Sequence, residues 1–167
     1  MTPAVLRAER ESDRPAIFGV HRNAFESDAE ARLVDALREE GSIVLSLVAE
    51  VNGDVIGSVI YSRLLIDGGN CGASALAPVA VKPAWQRKGI GGLLIREAHK
   101  RLAQAGECIV LVLGDPEYYA RFGFSARAAG GLRTPYDGPH LMALDLSPDD
   151  ADAKGVVTYP PAFAKLG

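Results

Sequence analysis

Cysteine and histidine are scarce in this chain, with two of the first and three of the second among 167 residues. Cys71 and Cys108 have no C-x-x-C spacing and no histidine cluster beside them. Neither a metal centre nor a disulfide framework is therefore expected, and both are read as free thiols. His21, His99 and His140 lie far apart, without the spacing of metal ligands. No block of basic residues is present and the net charge is −3, so nothing suggests a nucleic-acid partner. No window reaches the ~20 apolar residues of a membrane helix, and the amino-terminal Met-Thr-Pro-Ala-Val-Leu-Arg lacks the apolar stretch of a signal peptide. A soluble cytoplasmic protein with no membrane partner is the expectation. Neither glycine nor proline reaches disorder-level excess, and with 48% hydrophobic residues the chain is expected to form one domain over residues 1–167.

Periodicity orders the elements. A short strand spans Ala4 to Ala8. Ser12 or Asp13 caps a helix to about Phe25, with Ile17, Val20, His21 and Ala24 on one face. Asp28 caps a second helix, which Gly41 stops. Two β-rich runs, Ile43 to Val51 and Asp54 to Ile66, meet at Asn52-Gly53, a hairpin signal. A loop containing Gly68, Gly69 and Gly72 leads to a strand from Ala75 to Val81, where Pro78 marks an edge or a bulge. A helix from about Ile90 to Ala105 follows, then a doubly buried strand, Cys108 to Leu113. Asp115-Pro116 opens a short helix to about Phe122. The tail from Gly130 is turn-rich, with strands expected at Leu141 to Leu146 and Val156 to Tyr159. This order gives a mixed sheet flanked by helices, with one parallel pair and antiparallel hairpins beside it.

The most informative stretch joins the strand ending at Val81 to the following helix. Gly89, Gly91 and Gly92 open that helix, beside Arg87 and Lys88. A glycine-rich turn at a helix start leaves backbone N–H groups unpaired and aimed at one point, with the positive end of the helix dipole behind them. That is an anion cradle.

Gln86-Arg87-Lys88-Gly89-Ile90-Gly91 resembles the (Gln/Arg)-x-x-Gly-x-(Gly/Ala) signature of the GNAT superfamily of N-acetyltransferases. Tyr119-Ala-Arg-Phe-Gly-Phe124 is similar to that family's Tyr-x-x-φ-Gly-Phe segment. The phrases Leu76 to Val81 and Val112 to Phe124 resemble the bacterial YhbS-like branch of predicted acetyltransferases. The resemblance implies the GNAT fold: a mixed, mostly antiparallel sheet with a splayed parallel strand pair. It implies acetyl-coenzyme A as co-substrate, with no metal, and direct transfer of an acetyl or other acyl group to a primary amine on a small molecule or peptide. Under it, the N–H groups from Arg87, Lys88, Gly89, Ile90, Gly91 and Gly92 hold the pyrophosphate, and the pantetheine arm runs along Val79, Ala80 and Val81. Tyr119 matches the tyrosine that protonates the departing thiolate. Tyr118, one residue earlier on the helix, is expected to point elsewhere, into packing. A homodimer is compatible with the exposed edges of a mixed sheet.

The chain also departs from the pattern. Leu76 to Val81 holds no acid to serve as general base; Glu26, Asp28, Glu50 and Asp115 are candidates elsewhere, each with an ordinary structural reading. A water relay, or an acceptor of low pKa such as an α-amine, would remove the need for any of them. Asp115 stands only four residues ahead of Tyr119 and cannot donate as the usual asparagine does, so that role is not carried over. Two rival readings remain. A dinucleotide-binding fold lacks its third glycine, because Leu94 stands there. A module of the same fold that binds an acyl-coenzyme A without efficient transfer is the alternative from a different class.

Overall fold

The computed structural model describes residues 3–136, 138–147 and 153–166. Of the tail expected to be turn-rich from Gly130 onward, residues 137, 148–152 and 167 lie outside the described residues. Strand β1 (Val5–Ala8) is followed by helices α1 (Arg14–Phe25) and α2 (Ala29–Glu39). Three long strands come next: β2 (Ile43–Val51), β3 (Asp54–Ile66) and β4 (Gly69–Val81). Helix α3 (Ile90–Gln104), strand β5 (Ile109–Leu113) and the short helix α4 (Pro116–Ala120) complete the central part. Strands β6 (Leu132–Arg133), β7 (Leu141–Asp145) and β8 (Gly155–Thr158) follow, then a 3-10 helix at Pro161–Leu166.

The sheet runs β1-β2-β3-β4-β5-β7, with β8 pairing to the end of β3 and to β6. Only β4–β5 and β6–β8 are parallel among the pairings of the described strands. It is a mixed, mostly antiparallel sheet flanked by helices, as the resemblance implies.

Each hairpin follows from its turn residues. Asn52 and Gly53 adopt φ of +51° and +84°, which the paired left-handed geometry of a two-residue turn demands. The same geometry recurs at Asp67 (φ +51°) and Gly68 (φ +79°), with Ile66 opposite Gly69. Here the sequence reading needs correction: the glycine-rich segment is a second tight hairpin, and β4 begins at Gly69 rather than Ala75. The glycines suggested a loop, whereas Asp-Gly supplies a turn and the rest continues as strand.

The two faces of the sheet carry separate cores. Ile60 and Leu64 of β3 pack with Ile17 and Val20 of α1 and with Leu33, Val34 and Leu37 of α2. Val59 and Tyr61 face the other way, against Leu94, Ile95, Ala98 and Leu102 of α3. The period-2 strand and the helical spacing of α3 make both faces apolar at once. Gly57 allows α3 to sit close, since a Cβ there would lie 3.1 Å from Leu94 Cδ1 and 3.2 Å from Ile90 Cγ2.

Two expected helix caps take other roles. Asp13 precedes α1, yet its carboxylate accepts from the Arg7 guanidinium at 2.7 Å and from the Arg10 N–H at 2.7 Å. Asp28 precedes α2, but it pairs with Arg22 (3.0 Å) and Arg32 (3.6 Å), while Ser27 Oγ accepts from the Ala29 N–H. In both cases a guanidinium a few residues away engages the carboxylate through a charge-assisted bond. Asp115 does cap α4, accepting from the Glu117 N–H at 3.0 Å. That helix ends at Ala120, two residues short of the expectation, because the chain turns towards Gly123 (φ +92°).

Candidate functional site

Pairing between β4 and β5 covers only Ala73–Ala75 opposite Ile109–Leu111. Just beyond, Leu76 faces Tyr61 and Val79 faces Val59, so Ala77 and Pro78 together oppose the single residue Ile60. This is a β-bulge on β4, and a bulge bends its strand and ends regular pairing. On its β3 side the end of β4 stays paired, with Val79, Ala80 and Val81 opposite Val59, Ser58 and Gly57. On its β5 side the strand has no partner, so backbone groups face open space.

That space is a cleft of about 470 Å³. Val79, Ala80 and Val81 line one wall, and Ala24 and Phe25 from the end of α1 line another. Trp85, Gln86, Arg87, Gly89, Ile90, Gly91 and Gly92 line the end, and Tyr118 and Arg121 complete the lining. Eight of the nine residues expected at a cofactor site therefore meet in one cleft. Lys88 does not: the chain reverses between left-handed Arg87 (φ +65°) and Gly89 (φ +81°), leaving Lys88 exposed outside the lining.

Gly89 stands at the N-cap of α3 and provides no side chain to bond the helix start. The N–H groups of Ile90, Gly91 and Gly92 have no acceptor within the helix, and they point where the helix dipole is positive. The turn is fastened by Gln86, whose Nε2 donates to the Val81 carbonyl at 2.9 Å. A Cβ on Gly91 would lie 3.3 Å from the Tyr118 hydroxyl, and one on Gly92 would lie 3.4 Å from Phe122. A longer side chain at either position would occupy the gap between α3 and α4. The cradle suits a pyrophosphate: aligned N–H donors, one lining guanidinium from Arg87, and no side chain in the way. No Asp or Glu appears among the described residues that line the cleft.

Tyr118 packs against Tyr119 and Phe122 as expected, yet it also reaches the cleft. Its ring lines the cleft, because Tyr118 and Phe122, four residues apart, share the face that meets α3 at Gly91 and Gly92. The i, i+4 spacing held that signal. Burial raises the Tyr118 phenol above its ordinary value, while Arg121 and Arg96 act in the opposite sense. Tyr119 lies deeper. Its ring covers Gly114, where a Cβ would sit 2.5 Å from the ring, and meets Phe124 edge-on at 5.8 Å. Burial, helped by Tyr118, pushes its pKa up to about 12. Arg121, inside the Tyr119–Phe124 motif, was given no role by the sequence, although its spacing put it on the same short segment.

The candidate bases are largely engaged. Glu50 accepts from Arg7 at 2.9 Å, Asp28 is held by Arg22 and Arg32, and Asp115 caps α4. Glu26 is exposed at the end of α1 in a left-handed conformation, φ +55°, and lines a different, open cleft with Arg22, Asn23, Ser27 and Asp28. Behind the α1 wall, His21 Nε2 lies 3.0 Å from Ser58 Oγ with the ring stacked on Phe25.

Comparison with known proteins bears on this cleft. The acetyltransferase (GNAT) domain model matches residues 42–126. The uncharacterized N-acetyltransferase YhbS of Escherichia coli K12 is 39% identical over 166 residues, covering 97% of this chain and 99% of its own. The crystal structure of Escherichia coli YhbS in complex with CoA superposes with a TM-score of 0.93 at 37% identity, covering 100% of this chain and 95% of that one. A GNAT family acetyltransferase from Brucella melitensis, in complex with acetyl-CoA, gives 0.84 at 38% identity over 98% of this chain and 99% of its own.

Proposed function

The chain belongs to the GNAT family of acetyltransferases, and from that premise we propose that it transfers an acetyl or other acyl group from coenzyme A to a primary amine. We take residues 1–167 as one catalytic domain. The observation that carries the reading is the cleft itself, where the unpaired edge of β4, the glycine turn and the start of α3 converge. Two relatives of similar sequence and fold, described as complexes with CoA and acetyl-CoA, support the choice of donor.

When bound, acetyl-coenzyme A supplies an activated thioester. The protein's own contributions follow from the geometry. The N–H groups of Ile90, Gly91 and Gly92, with Arg87, hold the pyrophosphate at the helix start. Val79 to Val81 offer unpaired backbone groups to an extended arm, as a strand offers them to a neighbour. Phe25 and Trp85 exclude water along the cleft. Tyr119, protonated up to about pH 12, holds a proton ready for a departing thiolate.

On the acceptor side the lining provides no carboxylate among its described residues. An ε-amine with pKa ~10.4 is only about one part in a thousand neutral at pH 7, whereas an α-amine near ~8 is about a tenth neutral. The engagement of Glu50, Asp28 and Asp115 favours one second reading, a binding module of the same fold with little turnover. One experiment separates the two. The protein is incubated with acetyl-coenzyme A and a panel of α- and ε-amines while free thiol is followed, and binding is measured by calorimetry. Thiol release dependent on an amine is the expected result. Tight binding without turnover on any acceptor would favour the module, and absence of binding would reject both.

A further inference from the structure

The arginines of this fold have two kinds of partner. Arg7, Arg38 and Arg63 are held by carboxylates at 2.6–2.7 Å, which neutralise them. Beside the cleft the partners are aromatic. Arg121 Cζ lies 5.4 Å from the centre of the Tyr118 ring, and Arg96 Cζ lies 4.8 Å from that of Phe122. An aromatic face orients a guanidinium without cancelling its charge. Neither Arg96 nor Arg121 has an ion pair among the described residues. Both act on the Tyr118 hydroxyl in the sense that favours its anion, so the field on that side of the cleft is positive. Arg121 itself lines the cleft, next to the Tyr118 ring that borders the glycine turn at Gly91.

Resting on the coenzyme A reading above, we propose that Arg121, oriented by the Tyr118 ring, binds the 3′-phosphate monoester of the coenzyme as a second phosphate site, separate from the turn. The chemistry divides between the turn and Arg121. Three N–H donors of a helix start and Arg87 suit a pyrophosphate, whose oxygens are spread along a chain. A terminal monoester carries about −1.5 to −2 charges near pH 7 and presents three oxygens to a planar fork, the geometry in which a guanidinium binds with two parallel bonds. A guanidinium already fixed on a ring loses less freedom on binding than one held by solvent alone. Arg121 thus becomes the residue that distinguishes coenzyme A from its dephospho form.

Calorimetric titrations of the wild type, Arg121→Gln and Arg121→Lys with coenzyme A and with 3′-dephospho-coenzyme A test this directly. The wild type is expected to prefer coenzyme A by about 10- to 100-fold, the scale of one charge-assisted contact. Arg121→Gln should lose that preference while binding the dephospho form within about twofold of wild type, and Arg121→Lys should recover part of it, since lysine keeps the charge without the fork. Because Arg121 is exposed, unchanged thermal unfolding of the variants verifies that only the ligand contact is altered. A preference retained in Arg121→Gln, or an equal loss for both ligands, overturns the assignment while leaving the coenzyme cleft intact. Failure of the wild type to bind either ligand overturns the cleft reading as well.

Discussion

A phenol whose pKa is pushed up to about 12 by burial keeps its proton throughout the range in which enzymes work. In the proposed transfer Tyr119 would therefore be a constant donor, and its own ionisation should impose no alkaline limb on activity below about pH 11. The ring is held by what is missing beside it, since Gly114 leaves the space that a methyl group would fill. Tyr119→Phe keeps the ring and removes the proton; it should lower kcat about 10- to 1,000-fold with coenzyme affinity nearly unchanged. Gly114→Ala should reproduce part of that loss by moving the ring. Steady-state kinetics beside calorimetric Kd values check both, and a Phe variant with wild-type kcat would remove Tyr119 from the chemistry.

Among the elements, the start of α3 would carry the proposed binding function in a few backbone atoms. Gly91 has an ordinary helical φ but little room, with the Tyr118 hydroxyl 3.3 Å from the site of a Cβ. Gly91→Glu would fill the gap between α3 and α4 and set a negative charge at the cradle. Binding of coenzyme A should fall below detection by calorimetry, with the fold retained; micromolar affinity in this variant would contradict the location of the cradle. Much of this was legible in the chain. Gly89, Gly91 and Gly92 after an apolar strand, Asn52-Gly53 between two β runs, and Pro78 as the mark of a bulge all act through local backbone geometry, which sequence encodes directly. Other features depended on which side chain wins a partner, and propensity does not decide that. Asp13 and Asp28 turned from cap to ion pair because arginines only four to six residues away, Arg7 for the first and Arg22 and Arg32 for the second, converge on them. Tyr118 entered the cleft because α3 packs against its face of α4. The two-residue strand β6 is defined by its pairing with β8, a contact that local pattern does not carry.

Taken as a whole, the molecule contains a pH sensitivity set by its interior. His21 is fully buried, and burial, reinforced by Arg38, lowers its pKa from 6.5 to about 4. Its folded pKa lies below the unfolded one, so the unfolded chain binds the proton first as pH falls. The stability it contributes is complete above pH 6.5 and is lost between 6.5 and 4. His99, lowered to about 4 mainly by burial, acts in the same window. Asp13, held at about 2 chiefly by Arg7, loses its contribution from pH 3.8 downward. His21→Gln keeps a partner for Ser58 without a titrating ring. Urea unfolding between pH 7 and 4.5 should therefore show a shallower decline in this variant, by up to about 1.4 kcal/mol per pH unit. Superimposable slopes would mean that His21 does not titrate on unfolding.

The short ladder between β4 and β5 has a mechanical consequence. Only three residue pairs couple those two strands directly, at Ala73–Ala75 and Ile109–Leu111, while β2–β3 and β3–β4 are joined along most of their lengths. The sheet is therefore stiff on one side of this line and compliant across it. A molecule seated in the gap acts as a removable brace, and the spacing of the two strands beyond Ala75 is set by whatever fills it.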